Sequence, residues 1–234
     1  MCRDNPVSRK LGGKHRWLLE LLRTGRHIGD SRSPWDTRTM KFDPKAVLHE
    51  YIQSGREVML WKLEGLSEYD MRRPLVPTGT NLLGLVRHVA SIETGYFGSV
   101  FGRPFPEPLP WTEDDEPNGD MWVRSDETKG SVVDFYRRVW AHSDATIDAL
   151  PLGAIAEVPW WPEGNRDISL HQAMVHVMAD IYRHAGHADL LRELMDGAIG
   201  ADRRWSNLPQ GDEAWWASYR DRVEAAARDA GGVT

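Results

Sequence analysis

A chain of 234 residues is long enough for one sizeable hydrophobic core with an added arm or tail. Its hydrophobic content of 41% is ordinary for a soluble protein, and no apolar run approaches the roughly 18 residues of a membrane span, so no membrane partner is expected. A formal net charge of −6 speaks against a nucleic-acid partner, since phosphate recognition needs a basic field. The single cysteine, Cys2, excludes an internal disulfide and a cysteine-rich structural zinc site, and points to a reducing, cytoplasmic setting.

The charge is uneven. Residues 1–40 hold Arg3, Arg9, Lys10, Lys14, Arg16, Arg23, Arg26, Arg32 and Arg38 against Asp4, Glu20, Asp30 and Asp36, a net +5 that leaves −11 for the remainder. A basic arm or an organellar address would have this composition. The apolar run Trp17–Leu22 is short for a signal-peptide core, and no small-residue cleavage site follows it. The expectation is an unpacked, flexible extension over residues 1–40, with Met1 and Met40 both open as the start.

Four long helical patterns follow. The first opens at Asp43-Pro44, a capping side chain before a proline at the first helical position, and places Leu48, Ile52, Met59, Leu63 and Leu66 on one stripe. The second follows Pro77-Thr78-Gly79-Thr80, carries Leu82, Leu85, Val89, Ile92 and Tyr96, and ends at Gly102-Arg103-Pro104. The third runs from about Lys129 to Leu150, with Val132, Tyr136, Val139, Ser143 and Ile147 on its stripe. The fourth starts at Ser169 or Asp167 and stops at Asp196-Gly197. Between them lie an acidic, proline-rich loop over residues 103–127 and a second loop, 151–168, containing Trp160-Trp161. No repeat and no alternating strand pattern is evident. The reading is an all-α four-helix bundle over residues 41–200, with a tail, 201–234, that holds a short helix near Glu213–Arg228. Trp205, Trp215 and Trp216 are expected to cover part of the bundle.

The chemistry is concentrated in the fourth pattern. Asp180 and His184 are four residues apart, which stacks a carboxylate and an imidazole on one helix face beside the inward residues Ala173, Val177, Ala188 and Leu191. His88 shares the inward side of the second helix with Leu85, Ile92 and Tyr96. Three metal-competent groups are thus aimed at one interior region, the way bundle cores build metal sites. A hydrogen-bonded core histidine and an Asp180–His184 ion pair would give the same spacing. His176 and His187 extend the same face and are read as supporting residues or alternate donors. No His-Glu-x-x-His run and no Gly-x-Ser-x-Gly elbow is present, which argues against a zincin-type peptidase or a serine hydrolase.

The stretch Gly84-Leu85-Val86-Arg87-His88-Val89-Ala90, the run from Asp180 through Arg183-His184-Ala185-Gly186-His187 to Glu193, and the Trp160-Trp161 loop together resemble the DinB-like superfamily, in particular its actinobacterial mini-circle-type and mycothiol-dependent branch. The resemblance covers roughly residues 41–200. It implies an up-down-down-up bundle and a divalent metal, commonly zinc or nickel, held by His88, Asp180 and His184. Asp180 departs from the His or Glu usual at its position, and being one methylene shorter it can reach the metal through a water. The resemblance further implies a thiol transferase that uses mycothiol or a similar low-molecular-weight thiol on an electrophilic small molecule. Trp160, Trp161 and Trp111 would then wall the pocket, and Arg183 or Arg87 would hold a substrate carboxylate. A metal-dependent hydrolase and a non-catalytic metal-binding stress-response protein are the alternatives, and the helix faces leave room for a homodimer.

Overall fold

The computed structural model describes residues 43–111 and 117–232; the extension expected over residues 1–40 lies outside them. Among the described residues the protein is mostly helical, with six α-helices: α1 (Pro44–Trp61), α2 (Glu68–Arg72), α3 (Leu82–Glu93), α4 (Lys129–Ala149), α5 (Leu170–Asp196) and α6 (Glu213–Gly231).

The helix starts are set by side chains that satisfy free backbone N–H groups. Asp43 accepts from the Lys45 amide at 3.0 Å, with Pro44 in the first turn. Asn81 accepts from Gly84 at 2.8 Å, and Ser169 from Gln172 at 3.1 Å. Thr128 and Ser131 exchange bonds in a capping box. Gly197, at φ 74, ends α5 in the left-handed region that glycine adopts without strain.

The apolar stripes meet in one core. Ile52, Met59, Leu85, Val89, Tyr136, Val139, Ile147, Val177, Ile181 and Ala188 are buried together. Helix α5 packs along α1 and also against α3, while α4 packs against α3. The α1–α5 approach is close because Gly55 faces Ile181: a Cβ at Gly55 would stand 2.7 Å from Ile181 Cγ2. Gly55→Val is therefore expected to destabilise the protein by about 1–3 kcal/mol through overpacking, read as a lower urea midpoint.

Three features differ from the sequence expectations. Helix α3 is shorter than its pattern, because the chain tightens and widens through a π-helical turn (Thr94–Gly98) and a 3₁₀ turn (Ser99–Phe101) before Gly102 at φ 66. The second loop contains a short antiparallel hairpin, β1 (Ile155–Glu157) paired with β2 (Asp167–Ser169). Strands of three residues are too short for alternation to show in a sequence. Finally, of the tryptophans expected to cover the bundle, Trp205 and Trp215 are exposed, at 43 and 38%, and Trp215, Trp216 and Tyr219 pack on one another along α6.

Candidate metal centre

His88 lies in the middle of α3, and Asp180 and His184 lie one turn apart in the middle of α5. Their donor atoms fall within 4.8 Å of one another. His88 Nε2 is 3.7 Å from Asp180 Oδ2, and His184 Nε2 is 3.6 Å from Asp180 Oδ1. The two imidazoles meet edge to face with centroids 4.7 Å apart. Donors on a tetrahedral sphere of ~2.0 Å bonds are separated by about 3.3 Å, so the cluster would draw in by up to about 1.5 Å around a divalent ion. A second observation agrees: Asp180 Oδ2 is a buried oxygen with no hydrogen-bond partner. Such an oxygen carries a desolvation cost that a cation would relieve. Two imidazoles and a carboxylate form a donor set suited to zinc, nickel, iron or manganese.

The charges fit the same picture. Burial pushes the Asp180 carboxyl up, but His184, then His88 and His176, outweigh it and hold the group below its ordinary value. The side chains of His88, Asp180 and His184 keep 18, 22 and 11% of their surface, so the cluster opens to solvent on one side.

The remaining expected residues divide into those near this cluster and those engaged elsewhere. His176, one turn before Asp180, packs at 4.6 Å against Tyr96 and 5.6 Å against Trp161. Trp161 Nε1 donates to the Tyr96 hydroxyl at 3.0 Å, and Trp160 packs edge-on against Tyr96 at 5.4 Å while remaining 54% exposed. These four residues make an aromatic wall beside the α5 face that carries Asp180. His187 Nδ1 stands 3.4 Å from His184 Nδ1, a long contact on the side of the ring away from Asp180. Partial burial, then the His184 and Arg183 charges, lowers the His187 pKa. Arg183 is exposed on α5. Arg87 does hold a carboxylate, but it is the protein's own: its guanidinium pairs with Glu127, donates to the Trp122 carbonyl at 2.7 Å and lies 5.1 Å over Trp111.

One residue was not singled out from the sequence. His88 Nδ1 donates to Asp120 Oδ2 at 2.7 Å, and this bond is the first cause of a lowered Asp120 pKa. Asp120 belongs to the acidic loop, where several carboxylates compete and no helical spacing distinguishes the one that turns inward.

The fold and the cluster thus define an all-α protein with a His–Asp–His group suited to a divalent metal. Residues 47–197, well over half of the chain, match the Mycothiol-S-transferase family, and the chain belongs to that family. No curated protein matches it. Among the described residues no helix is long and apolar enough to cross a membrane.

Proposed function

We propose that this protein is a metal-dependent S-transferase that joins mycothiol, or a closely similar low-molecular-weight thiol, to an electrophilic small molecule in the reducing cytoplasm. The observation that carries the reading is the convergence of His88, Asp180 and His184 from two helices, within a chain of the Mycothiol-S-transferase family. In this reading α1, α3, α4 and α5 form an up-down-down-up four-helix bundle over residues 41–200, with residues 1–40 and 201–234 as extension and tail. The packing of α5 on α1 and α3, and of α4 on α3, supports that arrangement.

His88 and His184 would hold the ion, zinc or nickel, through Nε2, and Asp180 would supply the anionic oxygen. When bound, the metal supplies Lewis acidity that favours the thiolate over the thiol near neutral pH. Three protein donors are the number typical of catalytic rather than structural sites, and such a set would let the ion accept a thiol as well. In the transfer the thiol would give its proton to solvent, its sulfur would bond to the electrophilic carbon, and the leaving group would depart with its electron pair. Trp160, Trp161, Tyr96 and His176 flank this face and would exclude water while offering flat surfaces to the electrophile.

The test uses metal-loaded protein, mycothiol and a fluorogenic alkylating electrophile. Conjugate formation is expected to need both thiol and metal, and to fall to the uncatalysed rate in His184→Ala. Turnover of an ester without added thiol would instead establish a hydrolase. Stoichiometric metal with neither reaction would leave a non-catalytic metal-binding protein.

A further inference from the structure

One face of α3 grips the loop that carries Asp120. The Asn81 side-chain amide donates to the Met121 carbonyl at 3.2 Å. Three residues on, Gly84 lies so close to the same carbonyl that any Cβ would overlap its oxygen. Another three residues on, Arg87 donates to the Trp122 carbonyl and pairs with Glu127 farther along the loop. Residues at this spacing share one side of a helix. The backbone directly following Asp120 is therefore clamped at two successive carbonyls by the helix turn that also carries His88.

That clamp sets the chemistry of the imidazole. An ionised carboxylate can only accept a hydrogen bond, so the 2.7 Å contact places the proton of a neutral His88 on Nδ1. The lone pair then resides on Nε2, the atom that faces Asp180. We propose that Asp120 is a positioning residue for His88, fixing its tautomer and ring orientation so that Nε2 is presented to the metal, and that Gly84 is glycine because the loop must approach this closely for Asp120 to reach the ring. The effect on metal rests on the reading given under Proposed function; the tautomer does not. The device makes α3 supply both a metal donor and the clamp that orients it. Carboxylates behind metal-bound histidines typically contribute ten- to a hundred-fold in affinity.

Two measurements test this. Nitrogen-15 NMR of the metal-free protein reads the His88 tautomer, and competition against a chromophoric chelator reads zinc affinity. In the unaltered protein His88 is expected to carry its proton on Nδ1. Asp120→Ala should release the ring to a population with the proton on Nε2 and lower zinc affinity by about 10- to 100-fold. Asp120→Asn keeps an acceptor but loses the charge, and should fall between the two. Gly84→Ala should reproduce the loss without altering any polar group. If that variant does not fold, the Asp120 pair still decides the matter. An Nε2-protonated His88 in the unaltered protein, or unchanged tautomer and zinc affinity in Asp120→Ala, would overturn the proposal. A protein that holds the Nδ1 tautomer yet takes up no zinc would support the Asp120–His88 pairing and overturn the metal reading instead.

Discussion

Replacing either His88 or His184 by alanine is expected to reduce bound divalent metal from about one ion per chain to near none. The two imidazoles approach Asp180 from different helices, and losing either leaves a two-donor set that no longer surrounds a centre. The consequence should extend to stability. An ion that binds only the folded chain adds about 4 kcal/mol when present at a thousand times its dissociation constant. Zinc should therefore raise the melting temperature of the unaltered protein and leave that of His184→Ala nearly unmoved. Asp180→Asn should weaken binding less than either histidine change, because an amide oxygen remains at the same place while the charge is lost. Stoichiometric metal by elemental analysis in both alanine variants, purified without a histidine tag, would rule out the assignment. Binding to the untagged protein is the relevant quantity, since a tag supplies imidazoles of its own.

The part of the centre legible in the sequence is the part governed by helical periodicity. Asp180 and His184 repeat at the pitch of a helix among Ala173, Val177 and Ala188, and that repeat alone specifies a shared face. His88 could be placed inward by the same rule, from Leu85 and Ile92. Asp120 could not, because it sits in a single 3₁₀ turn (Gly119–Met121), too short for periodicity to show, whose place is decided by tertiary contacts with Asn81, Gly84 and Arg87. Arg87 illustrates the converse. A cation next to a prospective ligand invites a substrate-binding role, yet here it is buried and committed to Glu127 and Trp122. The hairpin before α5 was hidden by its brevity. The buried ion pair between α1 and α3 leaves its own signal in the sequence: Arg56 falls four residues after Ile52 and three before Met59, which puts a charge squarely on an apolar stripe. A cation at such a position requires a buried anion opposite.

That anion is Glu93, and disrupting the pair should produce a large loss of stability. Arg56 Nε donates to Glu93 Oε1 at 3.0 Å and Nη2 to Oε2 at 2.6 Å, a two-pronged contact in which both side chains are fully buried. Nη1 reaches Asp144 at 2.7 Å, His49 meets the same carboxylate at 2.8 Å, and the Tyr136 hydroxyl donates to Glu93 at 3.2 Å. Burial alone would lower the Arg56 pKa, but the Glu93 and Asp144 charges outweigh it and push it up, so the guanidinium stays charged. The network ties α1, α3 and α4 together just where α3 gives way to its π-helical turn. Arg56→Met leaves the Glu93 carboxylate unpaired in the core and should cost about 3–5 kcal/mol, measured by urea denaturation; Glu93→Leu leaves Arg56 with Asp144 as its remaining anion and should cost less. The double variant Arg56→Met/Glu93→Leu removes both charges and should lose far less than the sum, the mark of a coupled pair. Asp144 adds a pH signature. Burial raises its carboxyl pKa, but His49 and Arg56 more than offset this and hold it below the ordinary value of about 4. Its contribution is thus fully present above about pH 4 and disappears as pH falls through the lower folded value. The stability gap between the unaltered protein and Asp144→Asn should be open at pH 7 and close under acid. A gap of the same size at both ends of that range would show that the carboxylate's charge contributes nothing, and that only its shape and hydrogen bonds hold the three helices.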